Sequence, residues 1–172
     1  MKILGIDPGI GICGFGLIEI NSRGAAKALD FGAVTTKIGA PLPSRLKELY
    51  DSLLEVFDET KPEMVAVEKL FFSKNITTGI AVAEARGIVL LVAEQKGLPV
   101  YEYTPNEIKK SLTGYGSATK SQMQEMVRVH LGLEKKPKPD DAADALAAAI
   151  TCGFLYKLGK DDSYKFSNSV KK

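Results

Sequence analysis

The sequence of 172 residues holds one histidine, His130, two cysteines, Cys13 and Cys152, and no tryptophan. A zinc cluster or a disulfide framework needs more ligands than that. A lone histidine also leaves little room for imidazole acid-base chemistry. No apolar run reaches the ~18 residues of a membrane span, and no basic, apolar, small-residue leader follows Met1, so a cytoplasmic protein is expected. Charge of one sign is missing too, with 23 Lys and Arg against 21 Asp and Glu for a net charge of +2. That balance is too mild to announce a nucleic-acid partner. What remains is a composition of 45% hydrophobic and 26% charged residues, that of a soluble globular domain. Chemistry in such a chain is expected to rest on carboxylates.

The opening Lys2-Ile3-Leu4-Gly5-Ile6-Asp7 reads as a strand ending in an acid at the turn pair Pro8-Gly9. Strand-type residues resume over 14–20 and 28–35 with short links, which predicts an antiparallel meander. From Leu42 the apolar period becomes helical through Leu46, Leu49, Leu53, Leu54 and Phe57, with Ser44 as the expected cap and Lys61-Pro62 as the stop. Met64-Val65-Ala66-Val67-Glu68 is a buried strand pattern that again ends in an acid. Asn75 to Lys96 is helical and apolar almost all round, so it must be covered by the sheet and either the core or a partner subunit. A fifth strand over 100–103 and helices over 106–112, 119–131 and about 139–158 complete an α/β arrangement, a sheet of mixed direction with helices on its faces.

Asp7 and Glu68 each end a strand, and parallel neighbouring strands would present both at the C-terminal sheet edge, where α/β proteins place ligands. Asp141 and Asp144 share a face of the last helix, as Asp140 and Asp144 would; spacing leaves the choice between Asp140 and Asp141 open. Singly, each acid is explained by a helix start or a turn. Four converging carboxylates repel one another unless cations sit among them, and oxygen-only ligands favour Mg²⁺ or Mn²⁺. Phosphodiester cleavage by two metals is the chemistry most often built this way.

Gly9-Ile10-Gly11-Ile12-Cys13-Gly14 fits a dinucleotide-binding pattern, but strand rather than helix is expected to follow, so the glycines are read as hairpin residues. Between Pro105 and Lys138, seven Lys or Arg face three acids, a local surplus of four. Lys120, at a helix start after a Gly-Ser loop, suits a phosphate. Phe71 and Phe72 lie close after Glu68, where rings could stack on unpaired bases or anchor the core.

Taken in order, Ile3-Leu4-Gly5-Ile6-Asp7-Pro8-Gly9, Val67-Glu68 with Phe71 and Lys74-Asn75, Ala85-Arg86-Gly87, Gly116-Ser117-Ala118 with Lys120-Ser121-Gln122, and Asp141-Ala142-Ala143-Asp144-Ala145-Leu146 resemble the RuvC family of Holliday-junction resolvases. The resemblance covers roughly Met1 to Phe154. It implies an RNase H-like fold, a mixed five-stranded sheet with helices on both faces, in a nuclease domain over 1–157; the lysine-rich residues 158–172 have no apolar period and are expected to form a disordered basic tail. It implies that Asp7, Glu68, Asp141 and Asp144 are catalytic acids binding two Mg²⁺ ions, with Mn²⁺ as a substitute, and that Asp140 is a cap or an acid outside the ligand set. DNA contacts fall to Phe71, stacking on a base near the junction centre, and to Lys74, Lys109, Ser117 and Lys120.

Resemblance further implies a homodimer that nicks two strands of a four-way junction symmetrically in recombination and DNA repair, alongside the branch-migration proteins RuvA and RuvB. Lys69-Leu70, Phe72 and Asp140 depart from the family pattern and bear on cleavage-sequence preference. Two rivals stand beside it. A non-catalytic junction-binding module would keep the lysines and phenylalanines without needing all four acids. An actin-like ATPase fragment would share Asp7-Pro8-Gly9 but needs a second Asp-x-Gly phosphate loop.

Overall fold

The first three strands, β1 (Lys2–Asp7), β2 (Ile12–Ile20) and β3 (Ala26–Thr35), pair antiparallel in succession, because the links between them are too short for a crossover. The chain then alternates: α1 (Leu42–Thr60), β4 (Met64–Glu68), α2 (Ile76–Gln95), β5 (Val100–Tyr103), α3 (Pro105–Thr113), α4 (Lys120–His130) and α5 (Asp140–Lys157). This computed structural model describes residues 1–69, 76–157 and 159. Phe71, Lys74 and, apart from Gly159, the expected tail over 158–172 lie outside the described residues. Among those residues the sheet has five strands in the order β3-β2-β1-β4-β5. β4 runs parallel to both β1 and β5, so the sheet is mixed as expected.

Strand alternation divides the core in two. Leu4, Ile6, Val65 and Val67 point to the face covered by α1 and α2, joining Leu49, Leu53, Phe57, Val89 and Val92. Ile3, Met64, Ala66, Tyr101 and Tyr103 point to the other face, beneath α3, α4 and α5. The last residues of β1 and β4 follow the same parity as Ile3 and Met64, which turns Asp7 and Glu68 toward α5. Helices on both faces also explain why α2 and α5 are apolar over most of their surface, since each lies against a sheet and other helices.

α5 lies unusually close to β1 and β2. A Cβ on Gly5 would sit 1.9 Å from the Ala145 carbonyl oxygen, and one on Gly14 would sit 2.1 Å from the Asp141 carbonyl oxygen. Small residues answer from the helix side, where Ala142, Ala145 and Ala149 are fully buried. Backbone therefore packs on backbone, and the first turn of α5 is set down beside the end of β1.

Local signals at helix starts were partly legible. Thr104 with Glu107 and Thr119 with Gln122 form reciprocal capping boxes that begin α3 and α4. At α1 the expectation fails: Ser44 is not the cap. Pro41 holds that position without a side-chain bond, and its carbonyl accepts from the amides of Ser44 at 3.0 Å and Arg45 at 3.1 Å. Pro43 in the first turn, with φ already helical, moves the start ahead of Ser44. β2 and β3 each begin two residues earlier than the sequence pattern indicated, at Ile12 and Ala26, because ladder pairing extends to Ile12 opposite Thr35 and to Ala26 opposite Ile20.

Gly14→Ala should lower unfolding free energy by about 3 kcal/mol, since the methyl group must displace helix backbone rather than a flexible side chain. Urea denaturation measures it, and a loss below about 1 kcal/mol would mean that α5 can move away at little cost.

Candidate metal and nucleic-acid site

In β1 and β4 the parallel register pairs Ile6 with Val67, so the next residues, Asp7 and Glu68, emerge at the same level of the C-terminal sheet edge. Antiparallel pairing sets Asp7 opposite Gly14, and Gly14 lies against the Asp141 backbone. The close approach of α5 thus brings Asp141 and, one turn later, Asp144 to the two strand-end acids. The structure places Asp7, Glu68, Asp141 and Asp144 at one sheet edge.

Their electrostatics show how near they are. Burial pushes the Asp7 carboxyl up to about 7, and Glu68, Asp144 and Asp141 add repulsion in that order, while Lys120 works the other way. Glu68 is raised by burial and by Asp144, against Lys109 and Lys120. Asp144 is raised by burial, with Lys120 opposing and Asp141 and Asp140 reinforcing. As the side chains stand, no three His, Cys, Asp or Glu groups among the described residues converge on one point close enough to share an ion. Lys120 occupies part of that space: its Nζ is 3.3 Å from Asp144 and 3.6 Å from Asp140.

A cleft of about 270 Å³ opens beside these acids, lined by Glu68, Asp144, Lys109, Lys120, Ile108 and Met123 among others. Lys109 projects from α3 and Lys120 from the first residue of α4, so two cations and two of the acids face one space. Ser117 is exposed in the loop before α4. The remaining positive charge of the 105–138 segment is partly spent within the protein. Arg128 bonds Glu125 and the Leu133 carbonyl, Lys136 bonds Ser121, and Lys138 bonds Asp140. The local surplus read from sequence therefore overstates the charge free to meet a ligand.

The residues scarce in the sequence stay out of the site. Cys13 is buried and its thiol is pushed up to about 12 by burial, so it is neither a thiolate ligand nor a nucleophile near neutral pH. His130 packs edge-on against Phe154 and lies 3.2 Å from the Leu112 carbonyl, a structural role. The glycine pattern over 9–14 opens into β2, which removes the dinucleotide reading.

Sequence reasoning missed two supports. Arg45 donates from Nη2 to the Ile10 carbonyl at 3.1 Å and from Nε to Thr36 at 2.9 Å, bracing the loop directly after Asp7. Arg86 on α2 pairs with Glu102 on β5, next to Tyr103, whose carbonyl accepts from the Lys69 amide at 2.7 Å and so ties down the chain just after Glu68. Neither contact has a local signal, because the partners are far apart in sequence.

Comparison with known proteins agrees with this geometry. Residues 3–152 match the family described as crossover junction endodeoxyribonuclease RuvC. A protein of that name from Heliobacterium modesticaldum is 51% identical over 159 residues, covering 92% of this chain and 98% of that one. One from Brevibacillus brevis is 48% identical over 151 residues, covering 88% and 90%. Among solved structures, T. thermophilus RuvC in complex with Holliday junction substrate is similar with a TM-score of 0.86 and 35% identity, over 95% of this chain and all of that one. The yeast mitochondrial Holliday junction resolvase Ydc2, at 16% identity and a TM-score of 0.61, shares the fold. With a family match over nearly its whole length and relatives about half identical, this chain belongs to the RuvC family of crossover junction endodeoxyribonucleases.

Proposed function

We propose that this endonuclease resolves four-way DNA junctions through Asp7, Glu68, Asp141 and Asp144, acting as catalytic acids that hold two divalent ions. The observation that carries the reading is the mutual coupling of four carboxylates at one sheet edge, with the Asp7 carboxyl pushed up to about 7 by burial and its three neighbours. Asp7, Glu68 and Asp144 are all raised by burial and by neighbouring acids, a site short of positive charge, and the donors of the cluster are all hard oxygens, so the residues fit Mg²⁺, with Mn²⁺ able to substitute. Ligation requires Asp144 to turn from Lys120, a rotation of the side chain. A non-catalytic junction-binding module has no need of the coupled acids, and family membership removes the actin-like ATPase reading.

When bound, two such ions supply an activated water and stabilise charge on the leaving oxygen. Asp7, whose ionisation responds to the other three, would hold both; Glu68, Asp141 and Asp144 would complete them. Lys109 and Lys120 hold the phosphate at the cleft mouth, and apolar Ile108, Met123 and Ala147 keep water from its inner wall. Ser117 and Lys74 are assigned to the DNA backbone and Phe71 to base stacking.

A homodimer follows from α2. On this helix Ile80 is 53% exposed and Leu91 47%, large apolar side chains that a second copy would cover. A two-fold dimer matches a two-fold junction and delivers symmetric nicks on two strands. Work in the cytoplasm in recombination and repair, beside RuvA and RuvB, completes the reading. Among the described residues no helix is long and apolar enough to cross a membrane.

Asp7→Asn and Asp144→Asn should each abolish cleavage of a mobile junction in Mg²⁺ while junction binding survives; cleavage at the wild-type rate in either variant refutes the acid assignment. Lys120→Ala should weaken junction binding and reduce the slope of log affinity against log salt by about one unit, and an unchanged slope would remove its phosphate contact.

Asp7 also predicts a stability effect in metal-free protein. Its folded carboxyl is raised from 3.8 to about 7, so stability falls as pH rises between those values and the full loss persists above them. Asp7→Asn removes that loss, and near pH 8 without metal its Tm should exceed wild type by about 3 °C or more, with the gap closing near pH 4. A gap that fails to close in acid contradicts the raised Asp7 carboxyl.

A further inference from the structure

Asp140 stands one residue before Asp141, outside the four acids, yet both of its oxygens are engaged. Its Oδ1 accepts from Lys138 Nζ at 2.9 Å, and its Oδ2 lies 3.6 Å from Lys120 Nζ. Lys120 in turn sits between two carboxylates on the same face of α5, one turn apart: Asp140, and Asp144 at 3.3 Å. These carboxylates have different fates in the reading above. Asp144 ligates a metal; Asp140 does not.

An ammonium and a divalent ion on the same oxygens of Asp144 repel each other, so one must give way. We infer that Asp140 is a positioning residue that tethers Lys120, letting its ammonium serve as the internal counter-ion of Asp144 in metal-free protein and swing from Asp144 to DNA phosphate when metal is loaded. The inference rests on the metal-dependent reading and adds an exchange of cations to it. Asp140 suits a post, because Lys138 engages one of its oxygens and leaves the other to Lys120. Lys120 suits a swinging arm. Its backbone is set at the start of α4 by the Thr119 capping box, while its side chain carries the charge on four rotatable carbons. With Asp140 present, an ammonium released from Asp144 stays at the cleft mouth beside Lys109; without it, the ammonium goes to solvent.

The test uses full-length protein in two measurements. Mn²⁺ titration without DNA, followed by the electron paramagnetic resonance of free Mn²⁺, compares wild type, Lys120→Gln and Asp7→Asn. Lys120→Gln should bind Mn²⁺ about 3- to 10-fold more tightly, because the competing cation is gone. Junction cleavage at saturating Mn²⁺ then compares wild type, Lys120→Gln, Asp140→Asn, Asp140→Glu and the Lys120→Gln/Asp140→Asn double variant. Asp140→Asn should lower kcat about 10-fold with KM changed less than about 2-fold, Asp140→Glu should recover most of the loss, and Asp140→Asn should cost nothing further once Lys120 is Gln.

Mn²⁺ affinity in Lys120→Gln equal to or weaker than wild type, where Asp7→Asn still abolishes binding, overturns this inference alone. Additive kcat losses in the double variant overturn the tether. If neither wild type nor Lys120→Gln binds Mn²⁺, the metal-site reading fails and this inference with it.

Discussion

Backbone-on-backbone contact between α5 and the first hairpin is the constraint on which the site depends. With no side chain at Gly5 or Gly14, the helix settles where a single methyl group would collide with a carbonyl oxygen at 1.9 or 2.1 Å. Its small buried face, Ala142, Ala145 and Ala149, makes the approach mutual. The result is chemical as much as structural: the acidic first turn of α5 comes to rest against the end of β1. Moving that helix outward by the width of a methyl group would keep the fold and separate the acids.

The same approach makes the metal-free protein electrostatically uncomfortable. Asp7 and Glu68 are held by parallel strands, Asp141 and Asp144 by a helix pinned to those strands, so none of the four backbones can retreat. Repulsion is relieved in the ways still open, by proton uptake at Asp7 and by the ammonium of Lys120 entering from α4. Such an arrangement costs stability in the protein as it stands. It also shows why a nearly neutral chain can serve a polyanionic substrate. Acids and cations share one cleft, where Lys109 and Lys120 stand beside Glu68 and Asp144, while Lys136, Lys138 and Arg128 are committed to internal partners.

Much of this was legible along the chain because the governing signals are local. Continuous apolar runs that each end in an acid mark β1 and β4 as buried strands and set Asp7 and Glu68 at their ends, while the face those acids share comes from the parallel register. The capping boxes at Thr104 and Thr119 mark helix starts within one residue, since the bonds they form span three residues. Ser44 misled because its hydroxyl imitates a cap, while the fixed φ of Pro43 had already begun the helix.

By itself the sequence determined the order of elements and the placement of acids at strand ends and helix start, and its scarcity of His and Cys directed attention to carboxylates. Only the tertiary structure decided which charges meet. Arg45 braces the Ile10 loop, Arg86 finds Glu102, and Lys120 sits between Asp140 and Asp144 because folding brings together segments up to 35 residues apart. The physical reason is range. Propensity, capping and alternation act over a few residues and leave a mark at each position, whereas an ion pair or a helix resting on a glycine exists only after the chain has closed on itself.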